Sequence, residues 1–146
     1  MSDRETSLWK WLAKARLSYK DNLVMDRVEN KVSAGTLDVL GCCVGHMFIM
    51  ELKCATADSH GYINVRFEPA QIETIRDFTK AGACCVVLIN ISEGTKSTKV
   101  LVPGRDILLI LTKVKADMLI KKYKVFSPDN VLRTIVQIDK YLTRWG

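Results

Sequence analysis

An α/β domain built on a mixed central sheet, in which an antiparallel hairpin is followed by a βαβ unit and flanked by helices, is the fold class that the 146-residue sequence predicts. Three observations carry it. The segment GTLDVLGCCVGHMFIMELKCA, from Gly35 to Ala55, has two strand-like apolar runs that meet at Val44-Gly45 and reads as a hairpin. Pro69 opens a stretch with helical spacing. Cys84 to Ile91 is then continuously apolar and β-branched, as a strand covered on both faces is. The second hairpin strand, the helix and this third strand make a βαβ unit, for which parallel strands and a right-handed crossover are expected.

The elements follow in order. Glu5 to about Leu17 has helical spacing, with Leu8, Leu12 and Ala15 on one stripe, Trp9 and Trp11 flanking it, and Ser2 or Asp3 as N-cap. Asn22 to Glu29 reads as a short strand, and Ser33-Ala34-Gly35 breaks the pattern before the hairpin. A turn centred between Val44 and Gly45 sets Asp38 opposite Glu51. Directly opposed Cβ atoms lie about 4.5–5.5 Å apart, where two like charges destabilise the pair unless something neutralises them. A divalent cation would do so. Lys53, two residues beyond Glu51, shares its face. The three residues form the pattern Asp-x12-Glu-x-Lys. Its ordinary reading is a salt bridge across the hairpin, but carboxylates flanked by core residues such as Val39, Ile49 and Leu52 are costly without a cation.

Thr56 to Gly61 is small and polar and is expected as an exposed loop beside these residues. The helix from Pro69 runs through Ile72, Ile75 and Phe78 and stops at Gly82. Gln71 shares that stripe, either as a functional residue or as a buried amide capping nearby backbone. Lys99 to Val102 reads as a strand ended by Pro103-Gly104, and Ile107 to Leu111 is ambiguous between strand and helix. Asp117 to Tyr123 reads as a short helix. The last helix has Ser127 as N-cap and Pro128 at its first position, with Val131, Ile135, Ile138 and Leu142 on one face.

Length and an apolar content of 48% suit one domain, residues 1–146, that buries a core without disulfides. No run of about 18 apolar residues occurs and the first residues are polar, so neither membrane span nor signal peptide is indicated and a cytoplasmic location is expected. The five cysteines lie in strand-like runs and read as reduced core residues. His46 and His60 do not supply zinc-site spacing. The net charge of +6 is concentrated after Leu111, where eight Lys and Arg, including Lys113, Lys115, Lys121, Lys122 and Lys124, stand against three Asp. Such a region favours a polyanionic partner, most often nucleic acid, or is a solvated helix surface.

In the hairpin, the buried strand after it, and the runs RVENKVSAGTLDVLG, FIMELKCA, FEPAQIETI and CCVVLINI, the chain resembles the PD-(D/E)XK nuclease superfamily. Within it, the likeness is to Holliday junction resolvases and virus-type replication-repair nucleases (VRR-NUC). Leu37 departs from the pattern, since the superfamily usually has proline before the aspartate. Proline there only pre-shapes the backbone.

The resemblance implies a restriction-endonuclease-like core and a metal-dependent, structure-specific DNA endonuclease. The Holliday junction resolvase is the first reading, acting as a homodimer on branched DNA and leaving 5′-phosphate and 3′-hydroxyl ends. A flap, nick or general duplex nuclease is the alternative within catalysis, and a non-catalytic DNA-binding protein on a nuclease scaffold is the alternative outside it. The catalytic residues implied are Asp38, Glu51, Lys53 and Gln71. Mg²⁺ or Mn²⁺, cations that prefer oxygen donors, would be held by Asp38, Glu51, the Leu52 carbonyl and Glu5. Glu29 is the rival of Glu5, which otherwise serves the helix dipole. Arg66, Ser33 and Thr36 are further DNA-contact candidates, the last two with turn-forming roles as the alternative. The dimer surface is expected on the C-terminal helix or the Ile107 to Leu111 run. A viral origin would place the work in the host cytoplasm.

Overall fold

The computed structural model describes residues 3–28 and 35–143, with side chains described as far as residue 138. Ser2, Glu29, Ser33 and Arg144, and the side chains of Lys140 and Leu142, lie outside the described residues.

Helix α1 (Asp3–Ala13) buries Leu8 and Leu12. The expected single helix to Leu17 is divided, because the Lys14 and Ala15 N–H groups donate to the carbonyls three residues back at 3.3 and 3.0 Å. Such bonds tighten the turn, and a short α2 (Arg16–Tyr19) follows. Strand β1 (Leu23–Arg27) then pairs antiparallel with β2 (Val39–Cys43), and β2 with β3 (His46–Thr56). The β2–β3 register runs from Cys43 opposite His46 to Val39 opposite Met50. It has the expected phase, so Asp38 and Glu51 fall one step beyond the last pair.

After a two-residue strand β4 (Tyr62–Ile63), helix α3 (Pro69–Lys80) leads to β5 (Cys85–Glu93), which lies parallel to β3 with Glu51 beside Val87 and Lys53 beside Ile89. The βαβ arrangement is therefore present. Strand β6 (Lys96–Pro103) returns antiparallel to β5. The ambiguous run after it is a 3₁₀ segment, Gly104–Ile110, burying Ile107 and Ile110. That three-residue spacing is what three residues per turn puts on one side. Strand β7 (Val114–Lys115), helix α4 (Ala116–Tyr123), strand β8 (Lys124–Val125) and helix α5 (Pro128–Thr143) complete the chain. Ser127 Oγ accepts the Asn130 N–H at 3.1 Å, the expected cap.

The six-stranded sheet has the order β1-β2-β3-β5-β6-β8, and β4 pairs with β7 separately. Alternation along the strands sorts the core into two layers. Phe48, Met50, Leu52, Val86, Leu88 and Leu101 pack with α1 and α5. Val87, Ile89, Ile91, Val100 and Val102 pack with Ile75 of α3, the 3₁₀ segment and α4. Each fully buried large aliphatic stabilises by about 1.5–3 kcal/mol. Val131, Leu132 and Ile135 of α5 lie inside the first layer, so that part of the helix is covered by the chain itself, whereas Leu108 of the 3₁₀ segment, the other expected dimer surface, is 65% exposed. Phe78 also departs from expectation, being 46% exposed. The buried residues of α3 are Gln71 and Ile75, which face the sheet.

Gly41 and Gly35 are positions of close approach. A Cβ on Gly41 would lie 2.3 Å from Phe48 Cζ, directly across the β2–β3 pair. On Gly35 it would lie 2.5 Å from Thr74 Oγ1 and 3.0 Å from the Ala70 carbonyl oxygen, so the chain leading to Asp38 rests against α3.

Candidate active site

Asp38 ends the approach to β2, and its carbonyl accepts the N–H of Val28, the residue after β1, at 2.8 Å. Its Oδ2 accepts the Leu52 N–H at 2.9 Å. The carboxylate therefore crosses to β3, where the ladder has ended and a backbone donor is available. In an extended strand the N–H and C=O of one residue point to the same side, so the Leu52 carbonyl is directed toward this same gap.

Glu51 Oε1 accepts from Gln71 Nε2 at 3.0 Å and lies 3.7 Å from Lys53 Nζ. Gln71 Oε1 takes two donors, Lys53 Nζ at 3.1 Å and the Glu68 N–H at 3.0 Å. Those bonds assign the amide, because its oxygen has two donors to satisfy and its nitrogen faces a carboxylate. Gln71 sits at the third position of α3, so the first turn of the helix is also the brace of Glu51 and Lys53. Asp38 and Glu51 are only 3% and 2% exposed, and Lys53 presents 13% of its side chain. Two carboxylates held this deep need hydrogen bonds and positive charge nearby. Burial first, and the Glu51 charge second, push the neighbouring Cys85 thiol up to about 12, so it stays protonated and chemically quiet.

These groups open onto a cleft of about 1810 Å³. Glu5, Arg66, Arg4 and Arg27 also line it. Glu5 is half-buried on the α1 side of the sheet, close enough for its charge to raise the Cys54 thiol alongside the larger effect of burial. Glu51 and Lys53 project from the α3 side. Among the described residues, no three His, Cys, Asp or Glu side chains gather as a metal cluster. Asp38, Glu51 and the Leu52 carbonyl are an all-oxygen donor set, which suits Mg²⁺ or Mn²⁺ with remaining positions left to water and phosphate. Glu5 lines the same cleft as these donors.

Thr36 is half-buried two residues before Asp38. Lys113, Lys115, Lys121, Lys122 and Lys124 are exposed, and none lines the cleft. Lys113 and Lys115 flank the Tyr62 ring at 5.6 and 5.4 Å, and Lys113 pairs with Asp58 at 3.3 Å. Lys122 stands over Tyr123 at 5.3 Å and Lys124 over Phe126 at 5.2 Å.

Arg4 and Arg27 are cleft residues that the sequence reading missed. Arg4 Nη2 donates to Thr56 Oγ1 at 3.2 Å and to Ser92 Oγ at 3.1 Å, spanning the ends of β3 and β5. Arg27 Nη2 reaches Thr6 Oγ1 at 3.4 Å, while its buried Nε has no acceptor among the described residues. A signal for Arg27 existed, since it alternates with the buried Leu23 and Met25 and so points to the covered face of β1. Arg4 carried none beyond adjacency to Glu5.

No protein-family model matches the chain, and no curated protein matches it. Among solved structures, Hjc of Archaeoglobus fulgidus, a Holliday junction resolvase from an archaeal hyperthermophile, is similar over 92% of this chain and 99% of that chain, with a TM-score of 0.58 and 15% sequence identity. Likeness at that identity is likeness of fold, and the mixed sheet flanked by helices is the restriction-endonuclease-like fold of Hjc.

Proposed function

We propose that this chain is a metal-dependent DNA endonuclease of the PD-(D/E)XK kind that hydrolyses phosphodiesters in branched DNA, with the four-way junction as its main substrate. The observation that carries the reading is the buried Asp38 and Glu51 pair at the cleft, with Lys53 braced beside it by Gln71. The fold shared with a resolvase supports it. Two symmetric nicks across a junction require two active sites, which a two-fold homodimer supplies.

Mg²⁺ or Mn²⁺ held by Asp38, Glu51 and the Leu52 carbonyl would supply positive charge at the scissile phosphate and lower the pKa of the attacking water. Glu5 would contribute through a water. The chain's own groups do the positioning. The Leu52 N–H fixes Asp38, and the Gln71 amide fixes Glu51 while accepting from Lys53, so these donors need little rearrangement when substrate arrives. Lys53 orients the water and offsets the extra negative charge on the phosphate oxygens. Arg4, Arg27 and Arg66 hold flanking phosphates in the cleft, and the lysines around Tyr62 give a second contact outside it. The expected products carry 5′-phosphate and 3′-hydroxyl ends.

The test is purified protein with four-way junction, flap and linear duplex, in Mg²⁺ and in EDTA. Paired nicks confined to the junction in Mg²⁺, none in EDTA, and a rate roughly 100- to 1000-fold lower in Lys53→Ala are expected. Equal nicking of all three substrates would make the protein a general nuclease. Wild type inert in both Mg²⁺ and Mn²⁺ while still binding DNA would leave only a binding scaffold.

A further inference from the structure

Among the described residues, Lys53 makes three close contacts, and two are with oxygens. Gln71 Oε1 accepts from its ammonium at 3.1 Å, Glu51 Oε1 lies 3.7 Å away, and the third neighbour is the face of Phe67, whose ring centroid is 4.9 Å from Nζ. The negative face of an aromatic ring attracts a cation at that distance, more strongly where water is thinned out. Here Lys53 is 13% exposed and Phe67 is half-buried against the second core layer while lining the cleft.

Phe67 stands immediately before Glu68, the N-cap of α3, so its backbone position is tied to the same helix start that places Gln71. A residue there ordinarily staples the helix by packing on the fifth residue along, in this chain Ile72. Any apolar side chain serves a staple. Only an aromatic face serves the ammonium.

We propose that Phe67 is a positioning residue for Lys53: its ring, with the Gln71 carbonyl oxygen, holds the ammonium over the cleft and aimed at the phosphate that Asp38 and Glu51 address. The inference rests on the hydrolase reading above for its consequence in catalysis, but the placement of Lys53 is a property of the metal-free protein.

Two measurements test it. In metal-free protein, the Lys53 Hε protons, identified by their loss in Lys53→Ala, are expected to be shifted upfield by the ring in NMR spectra. The shift should persist in Phe67→Tyr and Phe67→Trp and vanish in Phe67→Leu and Phe67→Met. With saturating junction DNA and Mg²⁺, the leucine and methionine variants should cleave roughly three- to thirty-fold more slowly, the span a ring–cation contact covers, with KM unchanged and the tyrosine and tryptophan variants near wild type. Having two apolar variants guards against one that folds poorly.

An unshifted Lys53 in wild type overturns the proposal, as does full activity in the leucine variant. Equal losses in all four variants would do the same, leaving only the staple. If wild type does not cut DNA, the hydrolase reading fails while the NMR result still decides where Lys53 is held.

Discussion

The two ends of the β2–β3 hairpin break the usual rule of burial in opposite directions. At the open end, Asp38 and Glu51 are 3% and 2% exposed, locked by the Leu52 N–H and the Gln71 amide. At the tip, Val44 and Met47 are 54% and 58% exposed. Exposed carbon is common on protein surfaces, whereas buried charge is rare unless paired. The open end is therefore the informative one. It shows a hairpin whose register is set by apolar packing in its middle and whose unfavourable charges are kept where the cleft can use them.

The sharpest way to break this comparison is to remove the charge while keeping the shape. Glu51→Gln and Asp38→Asn each leave an oxygen able to accept the bond now made by Gln71 or by Leu52. Cleavage should fall by at least about a thousand-fold, since both an ion ligand and its charge are lost. Stability in EDTA should hold or rise by about 1 kcal/mol, because active sites commonly sacrifice stability for function. Denaturation curves without metal, alongside single-turnover rates with it, check both halves. A variant that loses stability as well as activity would mean that the carboxylates are structural.

The middle of the hairpin should behave in the reverse sense. Gly41→Ala drives a methyl to 2.3 Å from Phe48 Cζ in a layer that also holds Met50 and Leu52. Overpacking of this kind costs about 1–3 kcal/mol. The molecules that remain folded should cut DNA at the wild-type rate, which a denaturation midpoint and an activity titration against folded fraction would separate. A change in turnover per folded molecule would show that the middle and the open end are coupled.

What could be read beforehand follows the same division. The register came from turn position and strand parity, which need only local sequence, and it placed Asp38 beside Glu51 and Lys53 on their face. The βαβ unit was legible because Cys84 to Ile91 has no polar residue before Asn90. Harder to read were features set by distant chain. Nothing local shows that Arg4 reaches Thr56 and Ser92, or that β8 adds to β6. Phe78 shows the limit of periodicity: a stripe through Ile72, Ile75 and Phe78 is equally helical, but the direction of the sheet selects the one through Gln71 and Ile75. The described lysines of the C-terminal region lie outside the cleft, because net charge locates a surface and not a site.

The smallest effect is expected at the tip. Val44 and Gly45 have φ of +49° and +80°, the pattern of a turn that matches strand twist and favours Asn-Gly. A β-branched residue in that region is strained, by about 1–2 kcal/mol in the left-handed well. Val44→Asn should therefore raise stability by about 1 kcal/mol, while the exposed valine gives up little packing. Activity should not move, because five paired rows separate Val44 from Asp38 and Glu51. Chemical denaturation measures the first effect and the junction assay the second. A loss of cleavage, or a change in oligomeric state by sedimentation, would show instead that the apolar tip is kept at a cost in strain because something binds there, and both ends of the hairpin would then be functional.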